Sequence, residues 1–420
     1  MRRTARVWTA SACAAVLLAG CGGHPAEPEP AHAGPPRGPS LAADFSGSGP
    51  GTLVSAEGLV DLDPQLRAAT SVSARIVYVS TSGINDSHAL VSATVFAPSG
   101  PPPPDGWRIV ALAHDATGIE PECAPSASPT LLGMAARITP LVEAGYLVVA
   151  TDYQGLGLRG TDRAKADETI GPFNGYHPFL DSTTEGYNVI DSVRAARKLV
   201  PTASANVIAW GTGQGGQAVW AANELAADYG GTLRFLGVVT DAPTVALDWL
   251  ADGAARGDLT KQQAATLQQF LAATGKEYGD FDVDPYRHGV VKDDWDALSS
   301  CWGPSSTDRD RLIQQIGPGD LRPDTPDATQ VLLGYLRKTS LPQARALAPM
   351  LVIPDAPDGL IPQPQTDTAI ARACALGDDI VFGVPHDPAD PTEAMGWIAD
   401  QFNGAAGHDD CPASASADPA

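Results

Sequence analysis

Basic side chains are scarce in this chain. Lysine and arginine number 27 against 49 aspartates and glutamates, giving a net charge of −22. Phosphate backbones require a basic surface, so a nucleic-acid partner is excluded. The acidity fits the solubility of an exported protein. Long apolar runs are also wanting near the N-terminus. The run Ala12 to Ala19 is too short to span a bilayer, which takes roughly 20 apolar residues. Arg2, Arg3 and Arg6 precede it, so residues 1–20 read as an export signal.

That signal ends in Leu18-Ala19-Gly20-Cys21, which is similar to a bacterial lipobox. Cleavage before Cys21 and acylation of its thiol would anchor the chain at the membrane without a transmembrane helix. The expected location is therefore the cell envelope, outside the cytoplasm. Residues 21–55 follow as a Pro/Gly/Ala/Ser-rich tether, too poor in apolar surface to fold. Setting aside Cys13 and Cys21 leaves Cys123, Cys301, Cys374 and Cys411. Four cysteines in an oxidising compartment suggest two disulfides, with three pairings open. No Cys-x-x-Cys spacing occurs among them, which removes the usual metal or redox signature, and no cofactor is expected.

Short apolar runs at Ala74–Val79, Leu90–Phe96, Ile109–Ala113 and Leu147–Ala150 predict strands, the last two buried on both faces. Helical spacing follows at Thr130–Ala144 and Tyr187–Leu199, the latter stopped by Pro201. Strands Asn206–Trp210 and Leu233–Val239 flank a helix at Gln217–Tyr229. Such alternation implies a mostly parallel sheet with flanking helices, an α/β fold. It breaks over residues 244–346, a polar stretch with helices at Lys261–Gly275 and Ala328–Thr339, then resumes to Phe402. An interruption that long reads as an inserted helical cap over the ligand-binding strand ends. The expected organisation is core at 56–243, cap at 244–346, core again at 347–405 and a tail at 406–420.

Between strand Asn206–Trp210 and its helix lies Gly211-Thr212-Gly213-Gln214-Gly215. This resembles the Gly-x-Ser-x-Gly nucleophile elbow of an α/β-hydrolase, with Gly213 where the serine belongs. A serine hydrolase needs that hydroxyl to attack the carbonyl carbon. Thr212 is the one hydroxyl inside the motif, and a neighbour displaced by one residue projects elsewhere. Gly215 and Gly216 let the helix start pack close to the sheet.

Further segments extend the likeness. His114-Asp115-Ala116-Thr117-Gly118, then Cys123-Ala124-Pro125-Ser126, the run Ala144 to Gly157, and Asp191-Ser192-Val193-Arg194-Ala195-Ala196-Arg197 occur in order. On these the chain resembles the secretory lipase family, the fungal lipase A type and its bacterial relatives, over about Ala74 to Phe402. The resemblance implies an α/β-hydrolase fold with a helical cap, hydrolysis of acylglycerols or other carboxylic esters by Ser, Asp and His, and disulfides Cys123–Cys301 and Cys374–Cys411. Carried over, the serine falls on Gly213, the aspartate on Asp358 and the histidine on His386. His386 arrives about one helical turn early, and Asp390 lies nearer the expected place. In the oxyanion segment Asp115 replaces a glycine, and its charge would oppose a developing oxyanion. Gln214 would offer its backbone N–H as an oxyanion donor. His114 is read as shaping its loop, and His88, His177, His288 and His408 as surface residues.

The function expected is a lipid-anchored pseudo-hydrolase that binds a lipid, an ester or a partner protein. Two alternatives stand beside it: an active lipase or esterase with another nucleophile, and a structural envelope protein with a collapsed pocket.

Overall fold

The computed structural model describes residues 38–158, 162, 175–303, 306–356, 359–384, 390–405 and 407–412. One nine-stranded sheet organises them, in the order β1-β2-β3-β5-β4-β6-β7-β8-β9. An antiparallel meander forms one side: β1 (Leu53–Gly58), β2 (Thr70–Thr81) and β3 (His88–Pro98). β3 also pairs antiparallel with β5 (Leu147–Thr151). From β5 the sheet is parallel, through β4 (Trp107–Ala113), β6 (Ala203–Thr212), β7 (Arg234–Asp241), β8 (Met350–Ile353) and β9 (Ile380–Phe382).

The central strands carry continuous apolar runs through their middles because both their faces are covered there. Ile109 and Ala111 of β4, with Val207 and Ala209 of β6, join one buried cluster. Their alternates, Val110, Leu112, Ile208 and Trp210, join a second cluster on the opposite face. Against the first lie α3 (Ser182–Leu199) and α4 (Gln214–Tyr229); the second receives α1 (Pro64–Ala69), α2 (Ala135–Glu143) and α12 (Thr392–Phe402). Asp181 caps α3 by accepting from the Thr184 N–H at 2.9 Å, which satisfies one orphan donor of the first turn.

Between β7 and β8 the described residues are helical: α5 (Trp249–Arg256), α6 (Lys261–Glu277), α7 (Gly289–Asp293), α8 (Trp295–Leu298), α9 (Thr307–Gln315) and α10 (Pro326–Thr339). α6 opens with a capping box, Thr260 with Gln263. These helices enclose their own apolar cluster around Leu250, Leu267, Phe270, Leu271, Leu332 and Leu336. Ile119, Phe179 and Leu180 enter it from loops of the sheet. After β8, α11 (Gln363–Leu376) leads to β9. The disulfide Cys123–Cys301 joins the loop after β4 to the helical segment, and Cys374–Cys411 ties α11 to the chain end.

The tether expected over 21–55 overlaps ordered structure at its end. Leu53 starts β1, Leu41 N–H donates to Ala56 O at 3.0 Å, and Asp44 N–H donates to Lys198 O at 3.0 Å. Small and polar residues there are held by backbone hydrogen bonds along the sheet edge, which composition does not reveal. Cys21 and the signal lie outside the described residues.

Candidate functional site

The carboxyl ends of β4 and β6 lie side by side, with Ala113 opposite Gly211. Two loops leave there in opposite directions, as at ligand crevices of open α/β sheets. β6 turns into α4 through Gly213, whose φ of 56° and ψ of −118° place it where side chains are strained. The turn is braced by Gly213 N–H donating to Asp241 O at 2.9 Å and by Thr244 N–H donating to Gly213 O at 3.1 Å. Gly215 follows as the second residue of the helix. A Cβ there would sit 2.0 Å from Ala113 O, so the helix start touches the end of β4 through glycine.

Asp115, two residues beyond β4, fills the space above Gly213. A Cβ on residue 213 would lie 2.0 Å from Asp115 Oδ1 and 2.5 Å from its Cγ. Oδ1 accepts from the Ala116 N–H at 2.7 Å and the Gln214 N–H at 3.2 Å. The N–H expected to face a substrate oxyanion is thus occupied by a carboxylate of the same chain. Asp115 reaches solvent at the cleft floor, but protein surrounds it on its other sides. That desolvation raises its pKa, against the two N–H donors and the charges of His114 and Arg137.

Two cavities meet at this carboxyl. One, of about 340 Å³, is lined by Leu112, Leu132, Met134, Arg137 and Thr212; the other, of about 220 Å³, by Gly213, Gln214, Thr266, Trp302 and Asp355; Asp115 and Ala116 border both. Arg137 stacks on Trp210, 4.7 Å from the ring centroid, and lies 3.8 Å from Asp241. Its guanidinium also donates to Thr212 Oγ1, so the one hydroxyl of the elbow is engaged.

Beneath the elbow lies a buried polar cluster. Gln214 Nε2 donates to Glu185 Oε1 at 2.6 Å and faces His177 Nε2 at 2.5 Å, while His177 Nδ1 lies 3.0 Å from Gln154 O. An amide can only donate to that ring nitrogen, so His177 carries its proton on Nδ1 and is neutral. Burial agrees, holding its pKa down at about 4. Burial also pushes the Glu185 carboxyl well above the usual range. His177 was expected at the surface and is instead fully buried, stacked on Tyr153 with centroids 5.4 Å apart. It sits in an aperiodic loop before α3, where no pattern marks burial. His114, read as loop-shaping, is buried with Nδ1 2.6 Å from Asp115 O.

Asp358 and His386 lie outside the described residues. Asp355, in the same loop after β8, accepts from Ala356 N–H at 2.8 Å and Leu360 N–H at 2.8 Å. Asp115, Gly213 and Gln214 are therefore brought together, at the bend between β6 and α4.

The secretory lipase family pattern matches residues 128–285, which hold β5, the elbow and the start of the helical segment. Over those residues the chain is similar to the secretory lipase family. Solved structures carry the same fold. Candida antarctica lipase A in its closed state is similar at a TM-score of 0.66 and 16% identity, over 89% of this chain and 86% of that one. The rice cell wall degrading esterase of Xanthomonas oryzae matches at 0.62 and 18%, over 85% and 97%. A putative hydrolase of Legionella pneumophila matches at 0.62 and 16%, over 84% and 96%. At these identities the structural likeness speaks for the α/β-hydrolase fold. No curated protein matches the chain in sequence. The two disulfides fit an extracytoplasmic setting.

Proposed function

We propose that this chain is a membrane-anchored pseudo-hydrolase of the secretory lipase type, which binds a lipid or ester without cleaving it. The observation that carries the reading is the pairing of Gly213 with Asp115. Residue 213 has no oxygen to attack a carbonyl, and the Asp115 carboxylate occupies the space that a side chain there would need. Loss of the serine from a working triad costs about 10⁶-fold in turnover, and the remaining catalysis rests on binding and oxyanion donors. Gln214 N–H, one such donor, already serves Asp115. An ester-shaped ligand is supported by the names of the similar structures, a lipase and a cell-wall-degrading esterase. Anchoring rests on Cys21 in its lipobox-like setting.

Two assays test this. Purified protein is expected to hydrolyse short-chain nitrophenyl esters no faster than the buffer blank. In a bacterial host fed radiolabelled palmitate, the chain is expected to take up label, and Cys21→Ser to lose it. Ester turnover with saturation kinetics would overturn the first half, and unlabelled wild-type chain the second.

A further inference from the structure

We propose that Asp115 is itself a covalent nucleophile, attacking the carbon of terminal epoxides through Oδ2 while Oδ1 rests in the N–H pair of Ala116 and Gln214. The proposal goes beyond the ester-binding reading and stands whether or not esters are turned over. Its ground is the unequal environment of the two carboxyl oxygens. Oδ1 is held at 2.7 and 3.2 Å by two backbone donors, one on the loop after β4 and one at the start of α4. Oδ2 accepts no hydrogen bond from the described residues and lies 3.0 Å from where a Cβ on residue 213 would be. Fixing one oxygen orients the other, and Asp115 is exposed to the cleft between cavities of about 340 and 220 Å³.

Chemistry selects the substrate class. A carboxylate attacking an ester carbonyl gives an anhydride, which reverts; attacking a saturated carbon with a strained leaving group, it gives a stable ester. In the first step an Oδ2 electron pair bonds to the unhindered epoxide carbon and the bond from that carbon to the ring oxygen breaks. The ring oxygen takes a proton from water, leaving hydroxide and a 2-hydroxyalkyl ester of Asp115. Hydroxide then adds to Cγ, and the negative charge develops on Oδ1, already facing two N–H donors. Collapse expels the alkoxide, which takes up the proton of the added hydroxyl. The sum is epoxide plus water to diol, with the carboxylate restored. Leu112, Leu132 and Met134 in the larger cavity suit an apolar alkyl tail. The charged or titratable groups facing the carboxyl are His114 and Arg137, with Asp355 across the smaller cavity.

The test is to incubate the full chain with 1,2-epoxyhexane and map adducts by peptide mass spectrometry. An ester on Asp115 is expected, forming about tenfold or more faster than on the exposed carboxylate of Asp61, as orientation by the N–H pair requires. In heavy-oxygen water, Asp115 should then acquire the label as the ester turns over. Asp115→Asn keeps an oxygen for the two donors and should abolish the adduct. Reaction at Asp115 no faster than at Asp61, or no adduct there, overturns the proposal. Mapping on the wild-type chain decides this even if the variant does not fold.

Discussion

At residue 213 two constraints meet: a backbone at φ 56° and a neighbouring carboxyl 2.0 Å from any added Cβ. Gly213→Ser must bear both. The backbone strain alone is worth about 1–3 kcal/mol, and the clash adds to it unless Asp115 swings away. Chemical denaturation should therefore show the single variant less stable by about that amount. Asp115→Gly in the same chain removes the clash, so the two changes should be non-additive in a double-mutant cycle, with the serine tolerated better in the double variant. Additive effects would mean that the carboxyl and the elbow are not in contact. Esterase activity is expected to stay at background in Gly213→Ser alone, because the Gln214 N–H still serves Asp115. The glycine at the elbow is plain in the sequence. Its cause is not, because Asp115 and Gln214 are 99 residues apart and meet only when β4 and β6 pair.

Among the elements, α3 and α4 face each other across a polar seam. Gln214 at the start of α4 bonds Glu185 on α3 and the loop histidine His177, all buried. Such a seam makes stability depend on pH. His177 has a folded pKa of about 4, below its ordinary 6.5, so the unfolded chain takes up its proton first as pH falls. The contribution of neutral His177 is whole above pH 6.5 and is lost as pH falls from there to about 4, at about 1.4 kcal/mol per unit. Glu185 has the opposite sign: its raised pKa favours the fold at low pH, and that advantage fades as pH rises above the ordinary carboxyl value. His177→Gln, measured by denaturant melts between pH 7 and 4, should flatten the acid limb relative to wild type. Glu185→Gln should gain stability relative to wild type near neutrality. Parallel pH curves for wild type and His177→Gln would contradict the buried, neutral imidazole.

The same seam shows what patterning can and cannot convey. β4 and β5 were legible because strands covered on both faces carry short, continuous apolar runs. α3 was legible from Val189, Ile190 and Val193, but its buried face also carries Glu185, Asn188 and Asp191, which pattern rules assign to solvent. Those polar groups are buried because partners reach them: Ser80 Oγ donates to Asp191 at 2.8 Å and Asn188 Nδ2 donates to Ser80 Oγ at 2.9 Å. β1 was missed because it is short, mixed in polarity and set among glycines and serines at the sheet edge.

Across the whole molecule, the helical segment between β7 and β8 has its own apolar cluster, and Cys123–Cys301 binds it to the sheet across 178 residues of sequence. Closing so long a loop restricts the unfolded chain by about 5 kcal/mol, against about 4 kcal/mol for a loop the length of Cys374–Cys411. Cys123→Ala with Cys301→Ala should thus lower the melting temperature more than Cys374→Ala with Cys411→Ala. The reverse order would mean that the helical segment holds its place without the bridge.

The account turns on a cleft whose attacking hydroxyl is missing and whose space is taken by an internal carboxylate. Its most direct measurement is the intact mass of the purified chain after incubation with a fluorophosphonate probe, which forms a stable phosphonyl ester with activated serine or threonine. An unchanged mass is the expected result. A stoichiometric adduct mapped to a serine or threonine lining the cleft at Gly213 would contradict it.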